Sequence, residues 1–486
     1  MTAHLTAAIR IGVVAGLAGG LTFGAAMARR GTLRNVAALV GSDSELVGFG
    51  IHMTIAAMVG AGLGLLLQRG RWSAADTVFW GATYATFFWF LGPLTIGPLI
   101  MGQAPAWTID AVRGAFPSLL GHVLWGTTAG LTLVAIETSE TLRHGIGRGD
   151  ARHLVGPIVR GLLAGLLAFW LVGLIPGGGD RMLSPAVQTG IGAVAGVAPF
   201  GLALALAVIY ALLHGRSTGS AGSALVRGAG FGFLLWVIGG LTVLPSLRGE
   251  SLPWGLDAAH AAFPALMSSV LYGGAMGLLY HWLDVVHRVL LSDEVREPGP
   301  GGGWGLGAVA RGTVAGLVGG GLFTLIMLQI GFLPSVARLV GSSSVVTGFI
   351  VHIAIAEIIG VTYALLFRRQ AVDVGSALGW GVSYGLVWWV IGPITLVPVI
   401  LGQMPAWTVE AATNAFPSLI GHIVYGAGLG ITFQRLEARH SPWWITRTEA
   451  EAGRMVRWRD EAHSAGPALW ALLLVAALVI PTILAR

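Results

Sequence analysis

Gly102-Gln103-Ala104-Pro105-Ala106-Trp107-Thr108 stands between two long apolar runs. It returns 300 residues later as Gly402-Gln403-Met404-Pro405-Ala406-Trp407-Thr408. Its surroundings return at the same offset: Gly92-Pro93-Leu94-Thr95 as Gly392-Pro393-Ile394-Thr395, Phe116-Pro117-Ser118-Leu119 as Phe416-Pro417-Ser418-Leu419, and Leu39-Val40-Gly41-Ser42 as Leu339-Val340-Gly341-Ser342. No net insertion separates these positions. A diverged middle copy keeps Gly239-Gly240-Leu241-Thr242, Trp254 and Phe263-Pro264 at an offset of 147 from the first. The chain is three versions of one unit.

Apolar runs long enough to cross about 30 Å of hydrocarbon as helix lie at 7–28, 47–68, 77–101, 115–136, 155–175, 187–213, 225–247, 259–282, 306–330, 345–367, 376–401, 415–434 and 467–485. The run at 7–28 ends in Ala25-Ala26-Met27-Ala28, as a signal peptide could, but its counterpart at 306–330 deep in the chain argues for a span. The expected fold is all-α and polytopic, with about thirteen transmembrane helices: four-helix repeats at 1–140, 150–290 and 305–435, then an interfacial segment and a C-terminal span at 436–486. Four spans return the chain to the side it started from, so the repeats are parallel, unlike the inverted repeats of many transporters. The polar stretches 137–154 and 283–305 read as loops between units.

Composition agrees. Of 486 residues 55% are hydrophobic and 10% charged, with mean hydropathy +0.78. A soluble domain carries roughly 25% charged residues, so a water-soluble globule is excluded, as is disorder. The 75 glycines suit close helix approach in lipid. Cysteine is absent, which removes disulfides, thiolate metal sites and iron–sulfur clusters held by this chain. All 28 basic residues are arginine, so Schiff-base and P-loop chemistry have no lysine. The net charge of +6 is no nucleic-acid footprint, because the arginines sit in loops between apolar runs.

Those arginines set the orientation by the positive-inside rule. Eight, Arg29, Arg30, Arg34, Arg113, Arg181, Arg248, Arg338 and Arg486, fall on one side, and the other twenty of the 28 share the side of the N-terminus. The expectation is a bacterial inner-membrane protein with a cytoplasmic N-terminus and an outer C-terminus. Arg29, Arg30 and Arg34 are a local exception. The stretch Arg447 to Arg459, with Trp443, Trp444 and Trp458, reads as a helix on the anionic inner leaflet or as a solvated linker.

Ala38-Leu39-Val40-Gly41 followed by Gly48-Phe49-Gly50-Ile51-His52, and Arg338-Leu339-Val340-Gly341 followed by Gly348-Phe349-Ile350-Val351-His352, resemble a family of small, uncharacterised four-helix membrane proteins of bacteria and archaea. There a short interfacial segment precedes a helix that opens with glycine and then histidine. The resemblance covers the first half of repeats one and three. It implies a fold and supplies no activity. The middle repeat carries Gln188 at the histidine position.

Intramembrane ionisable groups are functional candidates by default. His52 and His122, on the second and fourth spans, recur as His352 and His422. Spans two and four run in the same direction and the histidines lie at similar depth, so in a four-helix bundle they can face one another. Gly48, Gly126, Gly348 and Gly426 stand one turn away on the same helix faces. Ser118 and Ser418 stand one turn before His122 and His422 and could hold the second ring nitrogen. Two imidazoles are too few for zinc and enough for the two axial positions of b-type haem iron. The alternatives for the histidines are a plain hydrogen bond to a neighbouring helix and another metal or proton site, and for each glycine plain close packing. The middle repeat has Gln188 and Ser269 there and would hold no haem.

Other recurrences read structurally first. Pro93 and Pro98, with Pro393 and Pro398, interrupt the third span, and Thr95, Thr242 and Thr395 can bond a freed carbonyl; a broken-helix ion site is the rival reading. Trp107, Trp254 and Trp407, with Asp110, Asp257 and Glu410, place an aromatic and an acid at one membrane face of each copy, as anchors or as a docking surface. Glu357 is an intramembrane carboxylate of repeat three alone. No nucleophile-elbow, zincin or Walker motif occurs. The functional expectation is a membrane subunit in electron transfer, binding haem b in repeats one and three and exchanging electrons with quinol or a periplasmic protein. A transporter or channel built on the broken third spans, or a non-catalytic membrane scaffold for other subunits, are its rivals.

Overall fold

The computed structural model describes residues 2–68, 70, 72–143, 152–178, 198–215, 219–291, 303–368, 370–439, 455–456 and 464–485. Gln188, Arg181, the start of the run at 187–213 and most of the Arg447–Arg459 stretch lie outside the described residues. Among the described residues there is helix and no strand. Repeat one comprises α1 (Thr2–Arg29), α2 (Glu45–Leu67), α3 (Ala74–Leu91) and α4 (Phe116–Arg143). Repeat two comprises α5 (Arg152–Gly173), α6 (Ala198–His214), α7 (Ala221–Leu234) and α8 (Phe263–Leu291). Repeat three comprises α9 (Gly303–Gln329), α10 (Val345–Phe367), α11 (Val374–Ile391) and α12 (Phe416–Arg439). The last span, α13, begins as Gly466–Leu474 and continues through a π-helical segment to Leu484. Twelve of these are long and apolar enough to cross a membrane, and α6 adds a shorter apolar helix. The protein is an all-α, multi-pass membrane protein.

Each repeat has the same internal order. The first span packs on the second and the fourth, the fourth packs on the third, and the second and third barely meet. The second and fourth spans are therefore not partners across a bundle core, as the histidine positions suggest in sequence; the first span lies between them. Helix association in lipid rests on van der Waals fit rather than on hydrophobic transfer, and small residues provide that fit. A side chain at Gly81 of α3 would run into the Gly126 carbonyl of α4, and one at Gly126 into Gly81.

Every third span breaks near its end. The α-helix gives way to a π-helical segment at Gly92–Ile96, Leu235–Val243 and Gly392–Leu396. Prolines 93 and 393 explain two of them, because proline supplies no N–H and its ring crowds the preceding turn. In each copy the threonine donates to the carbonyl five residues back: Thr95 to Phe90, Thr242 to Val237, Thr395 to Val390, at 2.7 to 2.9 Å. The structural reading of these threonines is the one the contacts bear out.

α13 lies where the three repeats meet, packed on α3, α7 and α11, the third span of each. It buries Ala465, Ala468 and Leu469 completely. The equivalent positions Thr83 and Gly230 meet this region: Thr83 donates to the Ala468 carbonyl at 2.9 Å, and a Cβ on Gly230 would press on Leu469. The last carbonyls of a helix have no partner within it. Here Arg113 of repeat one donates to the carbonyls of Ile483 and Ala485, and His260 of repeat two donates from Nδ1 to that of Leu484.

Buried ion pairs add specific links. Arg160 meets Asp284 at 3.1 Å, joining α5 to α8, and Arg311 meets Glu437 at 2.7 Å, joining α9 to α12. Arg227 of α7 meets Asp76 of α3 at 3.1 Å with both carboxylate oxygens engaged, joining repeat two to repeat one. The exception to the arginine bias is structural as well. Arg29 and Arg30 donate to the carbonyls of Glu250 and Leu252 in repeat two, and Arg30 lies over the Trp254 ring.

Candidate functional site

The two histidine pairs form near-identical clusters. His52 on α2 and His122 on α4 both approach α1, and there the ring of Phe23 stands between them, its centroid 5.3 Å from each imidazole. Phe323 does the same in repeat three, at 5.1 Å from His352 and 5.0 Å from His422. The ring nitrogens are engaged by backbone. His52 Nε2 donates to the Gly20 carbonyl at 3.0 Å, and His352 Nε2 to that of Gly320 at 3.2 Å. His122 and His422 donate from Nδ1 to the carbonyls of Ser118 and Ser418, four residues back, at 2.7 and 2.8 Å. The serine hydroxyls lie farther away, at 3.3 and 3.4 Å, so the backbone of Ser118 and Ser418 fixes the imidazoles.

These residues as arranged do not fit a bis-imidazole haem. A porphyrin needs both imidazoles free to face it, and here both rest against one phenyl ring; Gly121 and Gly421 are glycine because a Cβ there would strike that ring. The nitrogen of His52 and His352 that would face iron is committed to a carbonyl. The flanking glycines also serve packing. A Cβ on Gly48 would strike the Leu33 carbonyl, on Gly348 that of Leu333, on Gly126 that of Gly81 and on Gly426 that of Gly381. Among the described residues no group of three or more histidines, aspartates or glutamates could hold a metal ion.

The helical parts of the third spans pack on α13, while the break of repeat two, Leu235–Val243, borders an apolar cavity. Their tryptophans complete a relay: Trp107 donates to Thr95 at 3.1 Å, Trp254 to Thr242 at 3.3 Å and Trp407 to Thr395 at 2.9 Å. Trp254 and Trp407 are buried, while Trp107 is 61% exposed. Two of the three expected surface aromatics are thus interior donors. Sequence reasoning passed over a second set of repeating donors. Trp89, Trp236 and Trp389 donate to the carbonyls of Ala115, Ala262 and Ala415. Trp125, Tyr272 and Tyr425 donate to those of Gly16, Ala203 and Ala356.

A cavity of about 410 Å³ lies between repeats one and two. Phe79 and Leu131 line it from repeat one, and α6, α7 and α8 line it from repeat two with Leu206, Ile209, Leu235 and Trp236 among others. Its wall is almost wholly apolar, with Thr127, His214 and Ser269 as polar members. Thr127 is 8% exposed, and its hydroxyl and His214 Nε2 are both buried with no hydrogen-bond partner among the described residues. An unsatisfied buried polar group costs about 1–3 kcal/mol, so two on one apolar cavity mark a place where a ligand's polar group would be stabilised. Leu131, Ile209 and Val243 of its wall are partly exposed, so the cavity opens to the surface; an apolar cleft with a few polar groups is the ordinary form of a small-molecule site. Nothing in the motifs pointed to it, because its walls come from non-equivalent faces of two repeats.

Comparison with protein-family models, with curated proteins and with solved structures finds no match for this chain.

Proposed function

We propose that this protein binds a lipophilic small molecule within the membrane, in the cavity between repeats one and two. The observation that carries the reading is the pair of unpartnered polar atoms, Thr127 Oγ1 and His214 Nε2, on residues of a wall that is apolar apart from these two and Ser269. Twenty of the 28 arginines lie on the side of the N-terminus, which supports a bacterial inner-membrane protein with a cytoplasmic N-terminus and an outer C-terminus. Electron transfer through haem b at His52, His122, His352 and His422, with quinol or a periplasmic protein as partner, is the rival. It requires Phe23 and Phe323 to leave their places and His52 and His352 to release their carbonyls. A transporter or channel built on the broken third spans is a further rival, and the repeat-two break that borders the cavity is where it would run.

Organic extraction of the purified full chain tests the proposal. About one lipophile per chain is expected to survive detergent washing. Gly239 lines the cavity and a Cβ there meets nothing within 4 Å, so Gly239→Leu fills open space and should deplete the lipophile without lowering the thermal midpoint. Equal recovery from both proteins, or none from either, overturns the reading. A reduced haem spectrum lost in His122→Ala would replace it with electron transfer.

A further inference from the structure

His214 on the wall of this cavity has a definite donor–acceptor sense, and it restricts the ligand. His214 ends α6 with its ring stacked on Tyr210, centroids 3.8 Å apart and planes 16° from parallel. Its Nδ1 lies 3.0 Å from the Tyr210 carbonyl. A carbonyl oxygen only accepts, so Nδ1 carries the hydrogen. A neutral imidazole that donates from Nδ1 presents a lone pair at Nε2, and that lone pair is the buried, unpartnered atom. Thr127 adds a hydroxyl, which can donate or accept. Phe79 belongs to the cavity wall and stands 6.4 Å from the His214 ring, so an aromatic ring borders the acceptor.

We infer that the ligand is a lipid alcohol: a long apolar chain against α6 and α7, ending in one hydroxyl that donates to His214 Nε2 and exchanges a hydrogen bond with Thr127. The inference rests on the cavity being the binding site. Ethers and esters have acceptors only, and leave the Nε2 lone pair unmet. Leaving a buried partner unpaired is enough for a roughly tenfold difference in affinity.

The test is equilibrium binding of radiolabelled oleyl alcohol and of its methyl ether to the full chain in detergent micelles. The alcohol should bind about tenfold more tightly than the ether. His214→Phe keeps a ring over Tyr210 and removes the acceptor, and should bring the two affinities together by weakening the alcohol alone. His214→Gln offers an amide oxygen and should restore part of the difference. If both probes bind equally to the wild type, or His214→Phe leaves their ratio unchanged, the hydroxyl assignment is wrong while the cavity stands. If neither probe binds, the cavity reading fails with it.

Discussion

At the scale of single residues, the recurring histidines, threonines and tryptophans of this membrane interior are answered largely by backbone carbonyls. Hydrocarbon offers no competing water, so a carbonyl released by a helix break must find a donor within the protein. Thr395 illustrates the economy: its hydroxyl donates to Val390 and accepts from Trp407, all in a buried setting. Thr395→Val keeps the shape and leaves both partners unmet, so it should lower stability by about 1–3 kcal/mol. Thr95→Val removes the same bonds where Trp107 is exposed, and should cost clearly less. Thermal unfolding of the two variants in one detergent checks the order; equal losses would mean the relay is not what holds the break. The paired histidines were legible from their 300-residue recurrence. Phe23 recurs as Phe323 at the same offset, yet nothing in the sequence said that the first span lies between the second and fourth.

At the scale of helices, two kinds of contact fix neighbours: glycine-lined close approach and buried ion pairs. Arg227 and Asp76 have side chains only 14% and 7% exposed, so each depends on the other for its charge. Removing one partner of such a pair strands the remaining charge and costs about 3–5 kcal/mol, whereas replacing both by apolar residues of similar size is often neutral. Asp76→Ala should therefore loosen repeat two from repeat one and lower the unfolding midpoint strongly, and the double variant Asp76→Leu with Arg227→Leu should recover most of the loss. If the double variant is as unstable as Asp76→Ala, the pair is doing more than neutralising itself. Both residues were visible in the sequence, but Asp76 has Ser223 and Ser376 at the equivalent positions. A contact between non-equivalent positions of two repeats leaves no periodic trace.

At the scale of the whole molecule, three parallel units share a thirteenth helix. Five spans, α9 to α13, separate the 283–305 loop from the C-terminus, so reporters fused in that loop and after Arg486 should lie on opposite sides of the membrane. Reporters on the same side would mean that one of the five does not cross. The sequence by itself determined the helical class, the approximate number of spans and the parallel threefold repetition, because each follows from apolar length and internal identity. Only the tertiary structure decided the order of helices within a repeat, the place of α13 among the third spans, the phenyl ring between the histidines and the cavity between repeats one and two. The reason is the solvent. In water an apolar stripe tells a helix which side to bury, but these helices are apolar on nearly every side, and in lipid the choice of neighbour passes to shape, to small residues and to the few polar groups that must find a partner.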